Sequence, residues 1–218
     1  MTAFGDEFYR DILEGLAVYT DSAFHRDVLG ALTRHQEPGI AVALNKNQMA
    51  SKRWLVDTLH ATVPSALDRV LILGGWFGAL AALLLHDPRF AIGRIESVDI
   101  DPRCAPVAES MNATHVRDRR FAARTADMLD LDYAGESAAD LIVNTSCEHL
   151  PDFGAWYTRV PRGRLLVLQS NDYFACREHV SCVADLAAFR AQAPLAETLF
   201  AGERRMRRYT RFMLIGRK

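Results

Sequence analysis

The chain has 218 residues, of which 50% are hydrophobic, so it can bury the core of one large domain and requires no second domain. Its formal net charge of -1 supplies no overall field for nucleic acid or an anionic membrane, and neither class of partner is expected. The chain lacks a secretory N-terminal pattern, an apolar run near the roughly 18 residues of a membrane span, and disulfide or zinc spacing among its four cysteines, which predicts a reduced, cytoplasmic protein.

Residues 1–63 are predicted to form a helical cap. Apolar side chains recur there at helical spacing, as at Phe8, Ile12 and Leu16, and the segment Glu37-Pro38-Gly39 interrupts the pattern midway. This region is too short for a second catalytic domain of the usual size. We therefore expect it to close over a pocket as a lid.

From residue 64 onward, strand-like runs alternate with helix-like runs. Five strands are predicted at residues 69–73, 92–100, 121–124, 139–144 and 164–169, with helices between most of them. Strands separated by helices need crossover connections, which imply a parallel sheet covered on both faces. The sequence therefore predicts an α/β fold with a doubly wound, Rossmann-like sheet over residues 64–218.

The end of the chain breaks this alternation. A predicted helix at residues 183–192 precedes two strand-like runs, residues 196–201 and 209–215, which are joined by Gly202 and a solvated arginine turn. Strands with so short a link pair antiparallel, so a hairpin should finish the mostly parallel sheet. The run at residues 209–215 would then offer an exposed edge at which a homodimer could form.

The first predicted strand ends in a glycine turn, Gly74-Gly75-Trp76-Phe77-Gly78. Glycine allows a backbone to approach a ligand where a Cβ would clash. An alternative is that the glycines serve strand-to-helix packing alone.

Two acidic residues follow at Rossmann-like intervals. Asp99 ends the second strand and could accept hydrogen bonds from both hydroxyls of a ribose, whereas Asp127 follows the third strand and could accept one from the amine of adenine. An alternative is that Asp99 and Asp101 only cap the next helix, ahead of Pro102.

In their order and spacing, these elements resemble the class I S-adenosylmethionine-dependent methyltransferases over roughly residues 54–217. The resemblance implies S-adenosylmethionine as the cofactor, with its methionine part at the glycine turn, its ribose at the second strand and its adenine after the third. The cofactor-binding residues that it implies are Gly74, Gly75, Trp76, Gly78, Asp99, Ile100, Asp127, Met128, Asn144 and Lys52.

Two positions depart from the pattern of this family. Ile72 stands where an acidic residue is usual, and Trp76 stands where a second glycine is common. The Trp76 ring could stabilise the sulfonium cation by roughly 0.5 to 2 kcal/mol, or it could pack against the first helix. In the family, the segment before the first strand often contacts the cofactor's carboxylate, which Ser51 or Lys52 could do here; a plain helix cap with solvated lysines is the alternative.

Polar residues follow the fourth predicted strand at residues 144–149, where ligands of open α/β sheets bind. His149 could accept a proton as a general base, and Glu148 could orient it or bind an amine. Alternatively, the two residues only begin the next helix. The segment lacks the Asn-Pro-Pro-aromatic motif of enzymes that methylate amino groups of nucleic acids, which argues against a DNA base as substrate.

A second polar segment follows the fifth predicted strand. Tyr173 could contact a substrate cation, Arg177 could hold a carboxylate through paired hydrogen bonds, and Ser146 and Asn171 complete the predicted substrate side. A solvated loop is the alternative. None of the seven histidines is spaced as HxxxH or HxH, so no metal site is expected.

We therefore expect a biosynthetic transferase that uses S-adenosylmethionine to methylate a small polar metabolite by direct displacement. The predicted catalytic residues are Asn144, Glu148, His149 and Tyr173. An alternative reaction is attack on the methionine chain, either by cyclisation to azetidine-2-carboxylate or by aminocarboxypropyl or aminopropyl transfer, with release of methylthioadenosine. It follows from a looser resemblance to azetidine-2-carboxylate synthases and, at residues 98–102, to aminopropyl transferases. A non-catalytic cofactor-binding subunit and a dehydrogenase are the other hypotheses.

Overall fold

The computed structural model of the protein describes residues 6–35 and 37–218, and for residues 6–9 only the backbone. Four helices precede the sheet: α1 (Asp6–Thr20), α2 (Ala23–Arg34), α3 (Gly39–Ala43) and α4 (Lys46–Thr62). The Asn45 side chain starts α4 by accepting hydrogen bonds from the backbone N–H groups of Asn47 and Gln48. The first five residues of the predicted cap and the Phe8 side chain lie outside the described residues.

One sheet contains the strands of the described chain, with helices between them. The strands are β1 (Ala66–Leu73), β2 (Ala91–Asp99), β3 (Phe121–Thr125), β4 (Leu141–Asn144), β5 (Leu165–Asn171), β6 (Glu197–Arg205) and β7 (Thr210–Arg217). The helices are α5 (Ala79–His86), α6 (Cys104–Met111), α7 (Ala113–Arg117), α8 (Phe153–Arg159) and α9 (Leu186–Gln192). The strand order is β3-β2-β1-β4-β5-β7-β6, and only the pairs that include β7 are antiparallel. The predicted doubly wound sheet with an antiparallel ending is confirmed.

β7 lies inside the sheet, so the prediction that residues 209–215 form an exposed edge is wrong. Met213 of β7 pairs with Gln169 of β5 on one side and with Gly202 of β6 on the other. The physical reason is composition, because β7 is buried over most of its length whereas β6 is exposed or half-buried throughout. A homodimer that used the hairpin would therefore pair through β6. Gly202 belongs to that strand, and the turn lies at residues 206–209.

Two apolar clusters cover the two faces of the sheet. Successive residues of β1 alternate between them, with Val70 and Ile72 in one cluster and Leu71 and Leu73 in the other. α4 packs into the first cluster. A third cluster joins α2 and α3 to α6 and to Phe77 in the turn after β1. The contacts thus divide the predicted cap, because α4 covers the sheet whereas α2 and α3 lie over the glycine turn.

Among the residues that the structure describes, no helix combines the length and the hydrophobicity needed to cross a membrane.

Candidate cofactor and substrate site

The turn after β1 has an unusual backbone. Gly74, Trp76 and Gly78 have positive φ angles of 59°, 48° and 76°. Glycine adopts this conformation readily, but a bulky residue such as Trp76 must be held in it by its surroundings. Asp99 provides this restraint, because its Oδ2 accepts a 2.8 Å hydrogen bond from the Trp76 backbone N–H. The turn and the end of β2 therefore form one structural unit.

Packing explains why glycine is needed at two of the positions that were predicted to bind the cofactor. A Cβ on Gly75 would overlap the Ser97 side chain of β2, and a Cβ on Gly78 would lie 2.6 Å from Nδ2 of Asn112. A Cβ on Gly74 would instead lie 2.6 Å from Oγ of Ser146, in the segment after β4. Gly74 therefore borders the crevice between the carboxyl ends of β1 and β4, where ligands of open α/β sheets bind.

The two predicted ligand-binding carboxylates lie at the same edge of the sheet. Asp99 pairs in register with Thr125 at the end of β3, and Asp127 follows two residues later. Asp99 also accepts a 3.1 Å hydrogen bond at Oδ1 from the backbone of Asp101, and each of its oxygens keeps a lone pair for a further donor. Asp127 accepts a 2.8 Å hydrogen bond from Leu129 N–H, which starts a short 3-10 helix. Both carboxylates thus shape loops and still have acceptor capacity.

Apolar side chains border this edge. Ile100 is 67% exposed directly after Asp99, and Met128 is half-buried after Asp127. The half-buried Trp76 ring stacks on Phe77 with 5.0 Å between ring centroids. Phe77 is buried, and together with α3 it anchors the Trp76 ring to the cap. Trp76 therefore packs against Phe77 beside the carboxylate edge, and its contact with a sulfonium stays a prediction.

Asn144 lies at the end of β4 and holds the segment that follows it. Its side chain is 0% exposed. Its Oδ1 accepts a 2.9 Å hydrogen bond from Ser146 N–H, and its Nδ2 lies 3.6 Å from Sδ of Met128. Both ends of the Asn144 amide thus contact the protein, and its catalytic and cofactor-binding roles remain predictions. Ser146 is half-buried, and its Oγ lies 3.4 Å from the Gly74 carbonyl oxygen.

A buried ion pair lies beyond Asn144. The Glu148 side chain is 2% exposed, and its Oε1 accepts 2.6 Å hydrogen bonds from Nη1 of Arg211 and from Nδ2 of Asn171. Arg211 also donates to the carbonyl oxygen of Thr145 at 2.5 Å. Burial opposes the charge of Arg211, but the adjacent Glu148 carboxylate outweighs it and raises the pKa of the guanidinium. Sequence reasoning missed Arg211, because nothing local in β7 marks it as a partner of Glu148.

α4 adds a second positive charge to this cluster. Burial, and then the nearby charge of Arg211, lower the pKa of Lys52 to about 8. Its Nζ donates a 2.8 Å hydrogen bond to Oε1 of Gln48, one turn earlier on the same helix face. Arg211 is already paired with Glu148, so the charge of Lys52 is left for an anion.

Two histidines meet next to Glu148. The His149 and His179 rings pack edge to face, with centroids 4.6 Å apart. Nδ1 of His149 lies 3.1 Å from the carbonyl oxygen of Glu178, and Nδ1 of His179 lies 3.1 Å from Oδ1 of Asn171. The structure thus brings Glu148, His149 and Asn171 together, as predicted for residues of one site, and adds His179. The sequence feature that could have identified His179 as a site residue is its position in the polar segment after β5.

The remaining predicted substrate residues differ in placement. Tyr173 stacks on Tyr209 with 5.6 Å between centroids, and its ring meets His179 edge-on at 5.9 Å. Arg177 is exposed, and within residues 6–35 and 37–218 it takes part in none of the hydrogen bonds or ion pairs. Tyr173 therefore belongs to the same cluster as His179, whereas no contact ties Arg177 to it.

Comparisons with known proteins agree on the fold and differ in the reaction. No protein-family model and no curated protein matches the chain. The N-methyltransferase NodS from Bradyrhizobium japonicum, solved with S-adenosyl-L-homocysteine, is similar with a TM-score of 0.62 and 15% identity over 89% of this chain and 96% of that one. The small RNA methyltransferase HEN1 has a TM-score of 0.61 and 14% identity over 81% of this chain and 26% of that one. The cyclase SpnF has a TM-score of 0.56 and 18% identity over 72% of this chain and 61% of that one.

The chain therefore has the Rossmann-like fold of the class I S-adenosylmethionine-dependent methyltransferases. Because these three proteins are an N-methyltransferase, an RNA methyltransferase and a cyclase, the fold does not select a reaction.

Proposed function

We propose that the protein binds S-adenosylmethionine and transfers its methyl group to a small polar metabolite by direct displacement. One observation carries the proposal: on this fold, the Asp99 carboxylate at the end of β2 is hydrogen-bonded to the turn that holds Trp76 at positive φ. A carboxylate with free lone pairs and an open backbone turn then border one crevice at the carboxyl ends of parallel strands. NodS, which has the same fold, was solved with S-adenosyl-L-homocysteine.

The residues of the chain fit this cofactor at three points. Asp99 offers acceptor oxygens to a ribose diol, since each oxygen uses one lone pair on the backbone. Ile100 and Met128 offer apolar surface to a purine ring. Lys52 offers a positive charge to the carboxylate of the methionine part, because the neighbouring Arg211 is neutralised by Glu148.

When bound, the cofactor supplies a methyl group on a cationic sulfur, and transfer breaks that carbon–sulfur bond as the acceptor atom forms its own bond to the carbon. The task of the chain is to align the acceptor and to remove its proton. His149 is suited to removing the proton, because its Nδ1–H donates a hydrogen bond to the Glu178 carbonyl oxygen and Nε2 is left as the accepting nitrogen. Tyr173, whose ring meets that of His179, and Ser146, which lies next to Gly74, are the residues we assign to the acceptor.

Burial of the substrate side favours a second candidate, attack on the methionine chain of the cofactor itself. Glu148 is 2% exposed, and Gln169 and Asn171 are each 1% exposed. Cyclisation needs no second molecule. The amine of the methionine part would displace the sulfur from its own chain, the displaced sulfur would leave in methylthioadenosine, and a base would take the amine proton.

Product analysis separates the two candidates. The protein is incubated with S-adenosylmethionine alone and then with pools of small amines, amino acids and hydroxy acids, and the products are identified by mass spectrometry. Methyl transfer predicts S-adenosylhomocysteine only when an acceptor is added, formed more slowly by the D99N variant. Methylthioadenosine without any acceptor would overturn methyl transfer and support cyclisation. An intact cofactor in every pool would overturn both and indicate a non-catalytic subunit.

A further inference from the structure

Three side chains from two segments of the chain converge at the substrate end of the site. Glu148 and His149 follow β4, and His179 follows β5. One donor atom from each, a carboxylate oxygen and a nitrogen of either ring, lies within 4.8 Å of the other two. Donor atoms that share a transition-metal ion lie roughly 3 to 4 Å apart, since each bond is about 2.0 to 2.2 Å long. Small side-chain rotations would bring the three atoms to that spacing.

Both imidazole rings are held in the protonation state that metal binding requires. A backbone carbonyl oxygen only accepts hydrogen bonds, so the 3.1 Å contact with Glu178 places the proton of His149 on Nδ1. Asn171 Oδ1 is likewise an acceptor, because it already receives the Tyr173 N–H and because Nδ2 of the same amide donates to Glu148. His179 therefore carries its proton on Nδ1 as well. In each ring Nε2 keeps a lone pair, and the outer contact matches the usual support of a metal-bound histidine.

The Glu148 carboxylate also favours the binding of a metal ion. Oε1 of Glu148 is saturated by Arg211 and Asn171, whereas Oε2 is buried and has no hydrogen-bond partner among the described residues. An unsatisfied buried carboxylate oxygen is costly, by about 1 to 3 kcal/mol or more for a charged group. A cation bound between one carboxylate oxygen and one nitrogen of each ring, which lie within 4.8 Å of one another, would relieve this cost.

We propose that Glu148, His149 and His179 bind one divalent transition-metal ion, with further coordination positions open to a substrate nitrogen or oxygen. Two imidazoles and one carboxylate suit ions such as Zn²⁺, Co²⁺ or Fe²⁺, whereas Mg²⁺ and Ca²⁺ take oxygen ligands. The charge of Glu148 is also offset by Arg211, so the imidazoles must supply the selectivity. With the metal in place, His149 is a ligand, and the ion itself activates the acceptor in place of a histidine base.

The proposal goes beyond the proposed function and can be tested without the cofactor. The whole protein is treated with a chelator, dialysed, and titrated by calorimetry with ZnCl₂ and separately with MgCl₂. The expected result is one tight Zn²⁺ site and no Mg²⁺ site. The H179A and H149A variants remove ligands that are not deeply buried, and each should weaken Zn²⁺ binding at least as much as loss of an outer partner, about 10- to 100-fold.

Two control variants and a spectrum make the test specific. H60A removes an exposed histidine of α4, and E178Q changes the carboxylate next to His179; both should bind Zn²⁺ like the wild type. The absorption spectrum of the Co²⁺-bound protein should be that of an ion with nitrogen and oxygen ligands only. Zn²⁺ affinity in H179A and H149A equal to that of the wild type, tight Mg²⁺ binding, or a sulfur-to-cobalt band from Cys176 or Cys182 would each overturn the assignment. None of these results bears on whether S-adenosylmethionine binds.

Discussion

The two halves of the crevice are built in different ways. The cofactor half, at the ends of β1, β2 and β3, consists of backbone turns held by Asp99 and Asp127, each of which bonds residues close to it in space. The substrate half, at the ends of β4 and β5, is a cluster of buried charged and polar side chains from α4, from the segment after β4, and from β5 and β7. The first half tolerates exposure, whereas the second depends on the partners that its buried charged and polar groups have. This contrast predicts that the two halves respond differently to substitution.

Loss of Arg211 should have the largest effect. R211M leaves the Glu148 carboxylate buried without its ion-pair partner, and we expect the free energy of unfolding to fall by about 3 to 5 kcal/mol. Urea denaturation measures the change. R204M, at the exposed end of β6 in the same hairpin, is the matched control and should lie within about 0.5 kcal/mol of the wild type. An R211M variant as stable as R204M would refute the contrast between the halves.

A glycine substitution tests the cofactor half. In G75A the new methyl group meets Ser97, and overpacking of this kind should lower stability by about 1 to 3 kcal/mol. The G75A/S97A double variant should recover part of this loss, because it removes the hydroxyl that clashes. G15A in α1 has open space around the new Cβ and should be neutral or slightly stabilising. Equal behaviour of G75A and G15A in thermal denaturation would contradict the packing role of Gly75.

Asp99 should affect binding more than stability. D99N replaces an anionic acceptor by a neutral amide, and we expect affinity for S-adenosylhomocysteine to fall by about 10- to 100-fold, the equivalent of a charged hydrogen bond. Isothermal calorimetry provides the measurement. D101N is the control, because the Asp101 carboxylate is engaged by Arg103. Similar losses in both variants would mean that Asp99 acts only through the fold of the loop.

The pH dependence of binding tests Lys52, with the smallest expected effect. The pKa of Lys52 in the free protein is lowered to about 8, so the ammonium is largely charged at pH 7 and largely neutral at pH 9. If the ammonium holds the cofactor's carboxylate, affinity is full below pH 8 and falls about tenfold by pH 9, since one pKa unit corresponds to about 1.4 kcal/mol. The K52M variant should bind S-adenosylhomocysteine more weakly at pH 7, and its affinity should not show this tenfold fall between pH 7 and pH 9. Parallel pH profiles in K52M and wild type would exclude the contact.

The same contrast explains what the sequence could predict. The order of strands and helices, the turn at Gly74 and the position of Asp99 depend on nearby residues, so hydrophobic periodicity and glycine spacing were sufficient. The interior position of β7 could have been inferred from its continuous apolar run, compared with the mixed polarity of β6. The substrate half was less accessible, because its contacts join distant segments.

Two pairs of residues show which contacts could not be predicted from the sequence. Glu148 and Arg211 are 63 residues apart in the chain, and their contact depends on β7 lying next to β5. His149 and His179 lie on separate loops, so a search for short histidine spacings could not detect them as neighbours. Asn144 was expected to be catalytic because it ends a strand, and only the structure shows that its amide also contacts Ser146 and Met128.

Calorimetric titration of the wild-type protein with S-adenosylhomocysteine, and in parallel with NAD⁺, tests most directly whether the crevice is an S-adenosylmethionine site. We expect saturable binding of one S-adenosylhomocysteine per chain, weakened in D99N, and no saturable binding of NAD⁺. Binding of NAD⁺ alone, or of neither compound, would contradict it.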